Sequence, residues 1–134
     1  MAYPLDTAAQ NAALDVLLGR DLTGIPTAWQ VALYTNHPLL GGTELTSAGG
    51  YARGSLNNNL TDYPPASAGE KTSVQVAFGT STGAYSDTAP CAVLIDAADS
   101  TTRWFAVFLD PEVSVVAAGA VVVATLSHYW NVEA

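Results

Sequence analysis

After Ile25, short runs of branched and aromatic residues alternate with Gly, Pro and Asn clusters. The runs at 29–35, 51–56, 73–78, 90–96, 103–109, 112–116 and 120–129 read as strands, because such side chains suit a pleated, half-buried surface. Pro38, the pairs Gly41-Gly42 and Gly49-Gly50, the triplet Asn57-Asn58-Asn59 and Tyr63-Pro64-Pro65 mark the reversals between them. Only 7–18 carries helical periodicity: Ala9, Ala13, Leu14, Leu17 and Leu18 share one face, Asp6 or Thr7 serves as the cap, and Gly19 ends it. Strands without intervening helices exclude a parallel sheet. The pattern predicts one all-β domain over 1–134, an antiparallel β-sandwich or jelly-roll-like fold with one short N-terminal helix and its strands within 29–130.

Two of these runs are apolar on both sides. Simple alternation puts Trp104, Ala106 and Phe108 on one face and Phe105, Val107 and Leu109 on the other. Val121 and Val123 likewise oppose Val122, Ala124 and Leu126. A two-layer sandwich wets one face of each strand, so a second apolar face calls for a cover. The helix covers part, and a second copy of the chain is expected to cover the rest. Trp104, Phe105, Val107, Leu109, Tyr129 and Trp130 are the expected interface residues, and a trimer is the expected oligomer.

Composition sharpens this picture. Charged residues are 12% of the 134, against about a quarter in an ordinary soluble domain. A small domain with so few charges covers its surface with Ser, Thr, Asn, Gly, Ala and apolar groups, which suits a surface hidden in an assembly. The net charge of −8, with only Arg20, Arg53, Lys71 and Arg103 as cations, disfavours nucleic acid and anionic membranes as partners. The apolar stretch 113–126 is too short to span a bilayer, and the first residues do not read as a secretory signal. Cys91 is the single cysteine, so no intrachain disulfide forms; it reads as a small core residue.

Several patterns suggest chemistry. Gly79-Thr80-Ser81-Thr82-Gly83 fits the nucleophile-elbow pattern, and Asp96 or Asp110 and then His128 follow in hydrolase order. The elbow requires a helix after the serine, whereas residues 84–90 read as a loop. Ser81 is therefore expected to be an ordinary turn residue, replaceable by Ala without effect on the fold. His37 and His128 lack a second ligand at metal-binding spacing. Asp96, Asp99 and Asp110 lie near turns without calcium-loop order. Neither metal nor cofactor is expected, and no catalytic residue is assigned. Tyr51, Tyr63, Tyr85 and Trp130, in or beside predicted loops, form a candidate platform for stacking sugars. Asn59-Leu60-Thr61 fits a glycosylation sequon and reads as turn chemistry.

Three segments carry a family likeness: 31–38, Val-Ala-Leu-Tyr-Thr-Asn-His-Pro; 41–45, Gly-Gly-Thr-Glu-Leu; and 49–53, Gly-Gly-Tyr-Ala-Arg. With Ile95-Asp96-Ala97-Ala98 and Ala118-Gly119, they resemble a family of short tailed-bacteriophage structural proteins commonly labelled tail-fibre or minor virion proteins. Independently of the likeness, Glu44 and Arg53 stand where they would pair across the Gly-rich reversal and fix its register. The resemblance implies a virion structural protein without enzymatic activity. It would be a capsid-exterior decoration or cement protein or a tail or fibre subunit, packing against itself and against major capsid or tail proteins. A carbohydrate-binding host-contact module and a small serine esterase are the readings from other classes.

Overall fold

The computed structural model describes residues 24–65 and 70–129. The predicted helix at 7–18 and Trp130 lie outside them. The fold is an antiparallel β-sandwich of unequal layers. Its larger layer is a four-stranded sheet of β1 (Ala28–Tyr34), β2 (Gly54–Asn57), β5 (Ala89–Asp96) and β6 (Arg103–Val113), in the order β2-β1-β5-β6. The smaller layer pairs β3 (Glu70–Thr72) with β8 (Ser127–Tyr129) and β4 (Val76–Thr80) with β7 (Val121–Ala124). These short ladders are one long pairing interrupted at Ser73 and Leu126. The Ser73 amide donates to the Leu126 carbonyl at 2.8 Å, and the Leu126 amide donates to Ser73 Oγ at 3.0 Å. A serine hydroxyl thus substitutes for a missing backbone acceptor.

Alternation explains the central core. Trp29, Val31 and Leu33 on β1 face the smaller layer with Ala92 and Leu94 from β5, and meet Val76, Phe78, Val122 and Leu126. Val31, Leu33 and Leu126 are fully buried. Pro90 falls one residue beyond the end of β5's pairing with β1, where its missing N–H leaves no gap in that ladder.

Strand β6 departs from simple alternation. Ile95 pairs with Arg103 while Leu94 pairs with Phe105, so Trp104 is an extra residue in a β-bulge. The bulge rotates Trp104 into the inter-layer core beside Phe105, Val107 and Leu109, leaving Ala106 and Phe108 on the opposite face. This corrects the expected face set of Trp104, Ala106 and Phe108. Trp29 packs edge-on against both Trp104 and Phe105, each with ring centroids 5.9 Å apart. Two further expectations change: 112–116 is not a separate strand, since β6 continues to Val113, and 120–129 breaks into β7 and β8.

The signature segments complete the edge of β1. Strand β2 pairs only with Ala28 to Val31. Beyond it the chain turns at Gly41 and Gly42 and returns along β1, so that the Thr35 amide bonds the Thr43 carbonyl at 2.9 Å and the Leu45 amide bonds the Leu33 carbonyl at 3.0 Å. Gly42 is required by space, because a Cβ there would lie 1.9 Å from the Asn36 carbonyl oxygen. At Gly49, φ is +69° and a Cβ would meet the Ala84 carbonyl oxygen at 2.4 Å.

Candidate functional site

The structure brings Glu44 and Arg53 together as a two-pronged ion pair. Arg53 Nε donates to Glu44 Oε1 and Nη2 to Oε2, both at 2.8 Å. The third guanidinium nitrogen, Nη1, donates to Gln30 Oε1 at 2.7 Å and to the Ser100 carbonyl at 2.9 Å. One guanidinium therefore ties β1, the start of β2, the Gly-rich link and the β5–β6 turn. The Tyr51 hydroxyl adds a bond to Glu44 Oε1 at 3.0 Å. Arg53's hydrogen bonds, and after them Tyr51's, hold the Glu44 carboxyl below its ordinary value despite partial burial. A planar guanidinium held by four hydrogen bonds to three residues is a positioning device: each of its donors named here is already committed within the chain.

The hydrolase arrangement is not assembled. Ser81 Oγ donates to the Ala117 carbonyl at 2.8 Å and accepts the Ala120 amide at 3.0 Å, while its backbone bonds Ala120 and Gly119. Ser81 is buried and closes the turn before β7. His128 is on β8, opposite Lys71, with Nε2 2.9 Å from the Tyr63 hydroxyl. Burial lowers its pKa to about 4, so the imidazole is neutral at pH 7. Asp96 and Asp99 shape the β5–β6 turn. Asp96 accepts the Ala98 amide, and Asp99 accepts the amides of Thr101 and Thr102 and the Thr102 hydroxyl. Asp110 lies toward the other end of β6, and among the described residues no three His, Cys, Asp or Glu stand together. Burial pushes the Cys91 thiol up to about 11.

The expected sugar platform is also relocated. Tyr51, Tyr63 and Tyr85 are core residues rather than loop-tip aromatics, and Tyr51 and Tyr85 meet edge-on at 5.6 Å. Of the expected interface residues, Trp104 and Leu109 are buried between the layers, and Phe105 and Val107 are half-buried against them. Tyr129 ends β8.

The exposed apolar surface lies on the smaller layer. On β7, Val121 is 75% exposed and Val123 36%, and Ala77 stands exposed opposite Val123. Val116, in the preceding turn, is 84% exposed, and Ala117, Ala118 and Ala120 are exposed beside it. No Asp, Glu, Lys or Arg occurs between Glu112 and Glu133. That charge-free run was available in the sequence. The outward face of β7 is not legible there, because it is set by Val122 pointing into the core.

Residues 4–127 match the family model described as Podophage GP4 fiber I protein gp80. The chain belongs to that family. The family is one of podophage fibre proteins. It agrees with the tail-fibre resemblance at the level of the family. The matched span takes in both layers of the sandwich and the stretch before β1. No curated protein matches the chain.

Proposed function

We propose that the chain is a structural subunit of a phage tail or fibre assembly, carried in the virion and working through protein–protein packing rather than catalysis. The observation that carries this reading is the exposed, charge-free apolar face of β7 on a chain of the fibre family. Val116, Val121 and Val123 form its centre, and a second copy of the chain is its occupant. The smaller layer is only two strands wide among the described residues, so its outer edges remain open to pairing. Elsewhere the chain carries net negative charge that keeps copies apart; the described residues of this face carry none. Burying the exposed part of a valine contributes roughly 1–2 kcal/mol, so a few of them per copy favour association. A closed homo-oligomer, with a trimer favoured, follows from this reading, docked on a neighbouring tail protein.

Gold-labelled antibody against the chain, applied to intact particles, tests the location. Label on the tail or its fibres supports the proposal. Label distributed over the capsid exterior overturns it in favour of a decoration protein, and absence of the chain from purified particles overturns the virion reading altogether.

A further inference from the structure

The outer face of the four-stranded sheet, away from the smaller layer, has an apolar, buried centre, with Arg103 and Phe108 exposed at its margin. Three rows of side chains cross it: Gln30, Ile95 and Arg103; Ala32, Val93 and Ala106; Tyr34, Cys91 and Phe108. Ala32, Cys91 and Val93 have no exposed surface, and Ile95 has 1%. Every described member of this cluster belongs to the sheet itself. Side chains standing side by side on one sheet face leave their tips open unless another layer lies on them, about 10 Å above. Of the described residues off the sheet, His37 packs at the margin of this face, its ring centroid 6.1 Å from that of Phe108, and the rest of the cluster calls for a further cover.

We propose that the N-terminal segment, through Leu14, Leu17 and Leu18, is the layer that closes this face. Chain connectivity favours it. Residues 24–27 run straight into β1, one of the three strands of that face, whereas 66–69 and 130–134 adjoin β3 and β8 in the other layer. The family match begins at residue 4, so this stretch is part of the family's unit, and it ends at 127, before the C-terminal tail. The spacing of Ala9, Ala13 and the three leucines gives one apolar stripe, and a helix over 7–18 is about 18 Å long, comparable to a seven-residue strand at roughly 23 Å. The small side chains of Ala32 and Ala106 leave a shallow trough for such a stripe. Charge also matches: Asp6, Asp15 and Asp21 against Arg20 make the segment acidic, and the rim of the face carries Arg103, hydrogen-bonded to Tyr34.

Cys91 reports on the cover, being the only thiol and fully buried beneath it. In the full-length protein it should react slowly with a thiol-specific disulfide reagent. Leu14→Asp with Leu17→Asp should speed that reaction by about tenfold or more, by raising the population of open states, while the β-type circular dichroism persists. Leu60→Asp, at an exposed leucine away from this face, should leave Cys91 as slow as in the native chain. A folded double variant with an unchanged Cys91 overturns the proposal. If the double variant loses its β-type spectrum, p-benzoylphenylalanine at position 14 of the otherwise native chain decides. Intrachain crosslinks to peptides from β1, β5 or β6 support the cover; crosslinks only to the smaller layer or to another copy overturn it.

Discussion

The Tyr51 hydroxyl accepts the backbone N–H of Leu33 at 2.9 Å. Leu33 lies beyond the end of β2, so its amide has no strand partner on that edge, and the phenol supplies the missing acceptor while bonding Glu44. Burial raises the phenol's pKa, so it stays protonated and able to do both. Tyr85, packed against Tyr51, has a buried hydroxyl with no hydrogen-bond partner among the described residues. The two phenols therefore predict opposite outcomes. Tyr51→Phe orphans a buried amide and should cost about 1–3 kcal/mol. Tyr85→Phe should change stability by less than about 0.5 kcal/mol, in either direction. Urea midpoints of the two variants check this directly.

The Glu44–Arg53 pair should show coupling in a double-mutant cycle with Glu44→Gln and Arg53→Met. Both side chains are about one-quarter exposed, and the contact is two-pronged. Coupling of about 1 kcal/mol, above that of a one-point surface pair and reduced by salt, is expected. Glu44's carboxyl is held below its ordinary 4.5, so this stabilisation is full above that value and is lost as pH falls through the folded-state pKa.

His128 gives stability a second pH dependence. Folded, its pKa is about 4; unfolded, near 6.5. Between those values the unfolded chain holds a proton that the folded one does not, so stability falls as pH drops from 6.5 toward 4 and this loss then stops. The full loss is at most about 3 kcal/mol. His128→Gln should flatten the pH 4–6.5 part of the profile in thermal unfolding.

Ser81→Ala should destabilise the fold by about 1–3 kcal/mol, because the Ala120 amide loses its acceptor and the Ala117 carbonyl its donor. A serine-reactive fluorophosphonate should leave the native protein unlabelled. The sequence pattern alone predicts that Ser81 is dispensable to the fold. Its structural role depends on which backbone groups lie opposite it across a turn 36 residues further on, and no local pattern carries that.

The same distinction governs what was legible elsewhere. The all-β class and most strand positions follow from local alternation and from Gly and Pro, and Glu44 and Arg53 are close because the turns between them are short. The Trp104 bulge was not legible, since it is set by the register between β5 and β6 rather than by the residues of β6 alone. Tyr51, Tyr63 and Tyr85 sit beside Gly and Pro and so resembled loop aromatics, yet their rings turn inward to fill space that the narrow second layer leaves open. Alternation puts Val121 and Val123 on one face, but which face is wet is decided by the packing of Val122.

Sedimentation equilibrium at micromolar concentration, comparing the native chain with Val116→Glu and Val121→Glu, tests the packing account most directly. Both valines are exposed in the single chain, so neither variant should disturb its fold. A discrete native oligomer that dissociates to folded monomers in the variants is the predicted result. A native monomer, or an oligomer indifferent to both charges, would contradict it.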